Sequence, residues 1–221
     1  QINGTQYVWT IVSFSDPSVV TVYHTSSAVR FGLIVFGWNS GASYAYSGGY
    51  SLRNQSHDNT YLLSSTPSYQ SLFKSTPNHY AKQFIIAFTG QYHDRSNDYV
   101  GISILAPYDT NVTIFAIQSS KPWNFTVHIR GRENLQHKLP ISLRMDQSMS
   151  SLNGIEILST SDISVLCLNS QGNGHAGDAY LALPTYTLGL VYVVPSYQPD
   201  YYHSHANFAV VSAHKNNPII V

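Results

Sequence analysis

Charge is scarce in this chain. Only 10% of its residues are Asp, Glu, Lys or Arg, against roughly 25% in a typical soluble domain. Eleven basic residues balance eleven acidic ones, so the formal net charge is zero. A nucleic-acid binder needs surplus Lys and Arg to displace counterions, and neither a surplus nor a basic run is present, so nucleic acid is not expected as a partner. Cysteine is almost missing as well. Cys167 stands alone in the apolar run Val165-Leu166-Cys167-Leu168, so no internal disulfide can form. That setting predicts a buried, inert thiol; a reactive one would want a neighbouring His or cation. No segment reaches the roughly 18 consecutive apolar residues of a membrane-crossing helix. Good helix formers are sparse, and helical periodicity is nowhere sustained. Neither a Gly-x-Ser-x-Gly elbow nor a His-Glu-x-x-His pair occurs. No catalytic residue is assigned, no cofactor is expected, and the chain reads as a non-enzyme.

Polarity comes instead from Ser, Thr, Asn and 17 Tyr. A weakly charged, neutral surface favours self-association. Short β-branched and aromatic runs, bounded by turn residues, predict an all-β protein. The arrangement is expected to be antiparallel and sandwich-like, with a propeller-like arrangement of the same repeats as the alternative. One pattern occurs three times, at Ser13 to Val19, Ala106 to Val112 and Ala213 to Ile219. A small residue ends a strand, a polar turn follows, and a β-branched run resumes, which predicts a repeated hairpin.

Further strands are expected at Arg30 to Trp38, buried on both faces, and at Gln83 to Phe88, Phe125 to Arg130, Gly154 to Leu158, Ile163 to Leu168 and Phe208 to Ser212. Leu139 to Leu143 reads as a short strand and Gly131 to His137 as a polar connection. The turn-rich stretch Arg53 to Ser68 is the expected boundary. It divides the chain into 1–55, the closing part of one β domain; 56–78, a linker or long loop; and 79–221, the opening part of a second, truncated one. No leader peptide is evident, so the chain is expected to be mature, truncated or internal.

Four glycosylation sequons occur, at Asn3, Asn54, Asn111 and Asn124. They point to secretion, although an Asn-, Ser- and Thr-rich chain also makes such triplets by chance. His203-Ser204-His205 puts two imidazoles on one face of an extended segment, a spacing that suits zinc. The alternative is a polar loop after Pro199, and no third ligand is in register. His57-Asp58 and His93-Asp94 would point to opposite faces if extended, which makes them poor general-base pairs. Gly172 to Asp178 lacks the Lys or following helix of a phosphate cradle and reads as an inter-strand loop. Tyr44, Tyr46, Tyr50, Tyr197, Tyr201 and Tyr202 are expected in loops, where such rings make adaptable contact surfaces or fold over sheet edges. The last copy of the repeated pattern stops within its second strand, so Ile219, Ile220 and Val221 are expected to seek a partner strand.

Gln83 to Tyr92 (QFIIAFTGQY), Tyr99 to Ile117, Gly154 to Asn169, Gly177 to Tyr197 (GDAYLALPTYTLGLVYVVPSY) and Asn207 to Ala213 together resemble the extracellular domain found at the N-terminus of IgG Fc-binding protein and its relatives. Arg30 to Leu52 resembles the other end of the same domain. The order is thus end first and beginning second, as in a slice across tandem copies or in a shortened or permuted relative. The resemblance implies secreted, mucus- or matrix-like proteins that build assemblies and bind partners without catalysis. The expected function is an extracellular structural or adhesive module, cell adhesion included, that meets other copies of itself or extracellular glycoproteins through sheet edges and Tyr-rich loops. The alternative is a lectin-like module in which Trp38, Trp123 and the Tyr loops stack on glycans. A metal-dependent hydrolase at His203 and His205 is the third reading.

Overall fold

A strand with one buried face alternates inward and outward residues. In this protein that alternation continues through places where the strands themselves bend. The computed structural model describes residues 34–38, 43–47, 79–90, 98–116, 122–145, 152–170, 177–188 and 209–212. Within them the protein is all-β, and no helix is long and apolar enough to cross a membrane.

The elements are β1 (Ile34–Trp38), β2 (Ser43–Ser47), β3 (Ala81–Ile86), β4 (Phe88–Thr89), β5 (Tyr99–Ala106), β6 (Thr110–Ala116), β7 (Trp123–Ile129), β8 (Glu133–Lys138), β9 (Arg144–Met145), β10 (Ile155–Ser170) and β11 (Gly177–Leu181). Short 3-10 turns follow Pro140 and Pro184, at Ile141–Leu143 and Thr185–Thr187.

β10, 16 residues long, is the spine. Its first part pairs with β6 on one edge and β3 on the other; its last part pairs with β5 and β11. All four pairings are antiparallel. β5 and β6 do not pair with each other. They run end to end along β10, from Tyr99 opposite Ser170 to Phe115 opposite Glu156. The expected hairpin at Ala106 to Val112 is therefore a corner in one long strand. β7 and β8 form a second bent strand against it, in an unbroken register from Ala116 opposite Trp123 to Gly101 opposite Lys138. The product is a single curled antiparallel sheet, a half-barrel whose two halves face each other across one core. Strands that bend from one half into the other at corners are a known route to such closure.

Inward positions keep their parity across the corner. Val100, Ile102, Ile104 and Ala106 are followed by Val112, Ile114 and Ala116, and Ile155 and Ile157 by Ile163, Val165 and Cys167, all buried. Phe84, Ile86, Phe88, Leu139 and Leu143 complete the core. The corner line is polar. Thr110 Oγ1 lies 3.2 Å from Thr160 Oγ1 and accepts from Ser161 N at 2.9 Å. Thr160 Oγ1 accepts from Asn111 N at 3.0 Å, and Asp109 Oδ1 accepts from Gly131 N at 2.7 Å. A Cβ at Gly131 would press on the Tyr108–Asp109 backbone, and Arg132 takes φ 70°. Backbone groups freed by the bend thus find side-chain partners instead of water.

Several other expectations are corrected. Gly131 to His137 is largely strand β8. The segment Leu139 to Leu143 ends in a 3-10 turn because Pro140 cannot donate to a ladder. The two strands expected between Gly154 and Leu168 are one. β1 is not buried on both faces, since Ile34 is 71% exposed. Residues 209–212 are described and are not in a strand. β2, containing Tyr44 and Tyr46, is a strand paired with β1 and not a loop. No blade-like repeat occurs among the described residues. The first and third copies of the repeated pattern, and the boundary at 56–78, fall outside them.

Candidate functional site

β7 has the sequence WNFTVHI, without a single charged or proline residue. Among the described residues its only ladder partner is β6, as β5 is the only partner of β8. Together they form one continuous edge of the half-barrel. Inward on this edge lie Trp123, Phe125, Val127, Leu135 and His137, all half-buried; the four hydrophobic ones pack against the core. Outward lie Asn124, Thr126 and His128 on β7, and Asn134, Gln136 and Lys138 on β8, all exposed; Glu133, at the start of β8, is exposed too although it shares the parity of Leu135.

The bend at 130–132 brings the two ends of this edge face to face. The Phe125 and His137 rings stack at 3.9 Å between centroids with 16° between planes. Trp123 stacks on Phe125 at 6.4 Å and on His137 at 5.8 Å. His137 Nε2 is buried without a hydrogen-bond partner, and burial holds the His137 pKa below its ordinary value. A neutral imidazole therefore completes an aromatic trio where the two ends of this edge meet. Such a row offers flat apolar faces beside a strand edge that has no second ladder partner among the described residues, a combination suited to adding a strand or stacking on a flat ligand.

On the opposite face Tyr99 lies over Gly101, where a Cβ would overlap the Tyr99 ring, and Lys138 Nζ sits 5.8 Å from that ring's centroid. Two of the four expected sequons lie among the described residues. Asn111 and Asn124 are both exposed, on β6 and β7. Asn3, Asn54, Tyr50, Tyr197, Tyr201, Tyr202, His203, His205, Ile219, Ile220 and Val221 lie outside the described residues, as do His57-Asp58 and His93-Asp94. Of the side chains of Trp38, Tyr44 and Tyr46 only the strand positions are described. No group of three His, Cys, Asp or Glu able to hold a metal occurs among the described residues.

Cys167 is buried, as its sequence context predicts. Burial pushes its thiol up to about 12, partly offset by a hydrogen bond with Tyr180. Tyr180, directly across the ladder, donates to Ala87 O at 2.8 Å, and burial raises its pKa too. The unfolded thiol titrates near 9.0. Between that pH and about 12 the unfolded chain gives up the proton while the folded one keeps it, so stability falls as pH rises. The thermal midpoint is expected to drop through this window, and Cys167→Ala to lose part of that drop. An unchanged alkaline limb in the variant would count against a buried thiol.

Sequence reasoning missed the edge formed by β8, and it missed a buried ion pair. Arg144 Nη1 donates to Asp98 Oδ2 at 2.8 Å, with each side chain only 1% exposed. It sits at the end of the curl closed by the parallel pair β4–β9, where Asn169 Nδ2 also donates to Thr89 O. Comparison with family models, curated proteins and solved structures found no match.

Proposed function

We propose that this protein is a non-catalytic extracellular structural or adhesive module that joins copies of itself by strand addition at the β7–β8 edge. The observation that carries the reading is β7, an uncharged strand with one ladder partner among the described residues, backed by the Trp123–Phe125–His137 row. Proteins usually blunt such edges with Lys, Pro or a bulge, and β7 has none of these. The zero net charge and low charge content give little long-range repulsion between copies. The sequons, and the resemblance of the chain's segments to a secreted, assembly-forming family, support the extracellular setting.

Light scattering after size exclusion is expected to show a mass that rises with protein concentration. His128→Lys places a charge on the outward side of β7 while keeping both of its neighbouring sequons, and is expected to return the protein to a monomer. A wild-type chain that stays monomeric at high concentration sinks the proposal.

Trp123, half-buried and stacked on Phe125 and His137, favours a second reading as a glycan-binding module, since flat aromatic faces also take sugar rings. Saturable signals on a glycan array, lost in Trp123→Ala, would favour this over the structural reading. A blank array would leave the structural one.

A further inference from the structure

An Asn-x-Thr sequon in a β-strand puts its Asn and Thr on one face and the middle residue on the other. Two sequons lie side by side here, Asn111-Val112-Thr113 on β6 and Asn124-Phe125-Thr126 on β7. Their middle residues, Val112 and Phe125, point into the curl. Both asparagines are exposed on the outer face. The two threonines stand directly opposite each other across the ladder, Oγ1 to Oγ1 at 3.2 Å. Asn111 is opposite His128, whose Nδ1 lies 3.0 Å from Asn111 Oδ1 and donates to it in the matching tautomer. That bond engages the amide oxygen and not Nδ2, the atom that would carry a sugar. The Asn124 side chain makes no hydrogen bond among the described residues.

We propose that Asn111 and Asn124 both carry N-linked glycans, and that these mark the outer face of β6–β7 as the side that does not meet a partner. The inference rests on the extracellular reading above. The donor is an oligosaccharide on a polyprenyl diphosphate, supplied by the secretory pathway. Its bond from the anomeric carbon to the diphosphate oxygen breaks, and a bond from that carbon to Asn Nδ2 forms. Nδ2 loses one proton, and polyprenyl diphosphate leaves; nothing is oxidised or reduced. The attachment points stand four residues apart along the strands, roughly 14 Å. Two bulky, hydrated chains at that spacing cover the polar outer face. They leave the in-plane edge of β7 and the inward row of Trp123, Phe125 and His137 as the surfaces open to contact. An inward-facing sequon could not hold a glycan in the folded state, so the shared outward placement of both is what the proposal requires.

The test is secretion of the chain, behind a leader peptide, from eukaryotic cells, with glycopeptide mass spectrometry before and after enzymic removal of N-glycans. Both sites are expected to be occupied, and Asn111→Gln and Asn124→Gln each to remove one step of gel mobility. Thr126→Ala, which keeps Asn124 but breaks its sequon, is expected to match Asn124→Gln. Secreted protein lacking sugar at either site overturns the proposal. Light scattering on the same samples separates the two ideas. A doubly glycosylated strict monomer would sink strand addition and leave this inference standing, and an unglycosylated protein that self-associates would do the reverse.

Discussion

Asp98→Ala is expected to cost about 3–5 kcal/mol of folding stability, the range for breaking a buried ion pair from one side. Asp98 immediately precedes β5, and Arg144 opens β9, which runs parallel to β4. Their side chains meet at 2.8 Å, each 1% exposed. The pair was brought out of water at a large desolvation cost, and their mutual bond offsets part of it. Without Asp98 the guanidinium stays charged and buried, because arginine does not give up its proton at any ordinary pH. Arg144→Met should cost a similar amount by taking the buried countercharge from the carboxylate. The double variant Asp98→Leu, Arg144→Met removes both charges and is expected to recover most of the loss, since apolar replacements of buried ion pairs are often neutral or better. Urea unfolding with linear extrapolation measures all three. Equal losses in the single and double variants would mean that the pair's geometry, not its charge balance, holds this end of the curl.

Phe84→Ala is expected to cost about 3–5 kcal/mol as well, for a different reason. Phe84 is fully buried on β3, opposite Ile157 of β10 and bridged on its other side to Pro184. It is held between backbone on both edges, so the strands cannot close over the cavity that truncation leaves. Ile34→Ala serves as the control. Ile34 is 71% exposed, and such surface changes usually fall within about 0.5 kcal/mol. Similar losses at Phe84 and Ile34 would contradict the burial assigned to β3.

The strands themselves were largely legible in the sequence, and the way they connect was not. FTVHIR alternates because β7 has a wet face and a core face, and that is visible in any window of the chain. Ala106-Pro107-Tyr108-Asp109-Thr110 reads as a hairpin turn because Pro and Asp serve a turn and a corner equally well. Only the register against β10 separates the two. The same corner broke β10 into two apparent strands, since Leu158 to Asp162 cross the bend where no core lies beneath them. β8 looked like a connection because an edge strand shows its polar side. Only Leu135 and His137 are half-buried, among the exposed Glu133, Asn134, Gln136 and Lys138. The ion pair left no trace, since Asp98 sits in a polar turn-like stretch and its partner lies 46 residues away. Cys167 was readable because apolar neighbours on a β-branched run fix the environment of a small thiol.

The bent strands also set an order of assembly. β5–β6 and β7–β8 together form one long hairpin closed by the short connection between Ala116 and Trp123. It can zip from that connection using only nearby partners, at little loop-closure cost. β10 has no such advantage. Its first pairing, Glu156 with Phe115, and its last, Ser170 with Tyr99, both span long stretches of chain. Its docking must then complete both halves of the curl at once, which makes it the natural rate-limiting step. Until β10 arrives, the zipped hairpin shows the inner row of Val112, Ile114, Phe125 and Val127 to other chains. The face most exposed to premature joining during synthesis is thus the inner one that the finished fold buries, together with the β5–β6 edge that β10 covers, and not the β7 edge proposed to join finished copies.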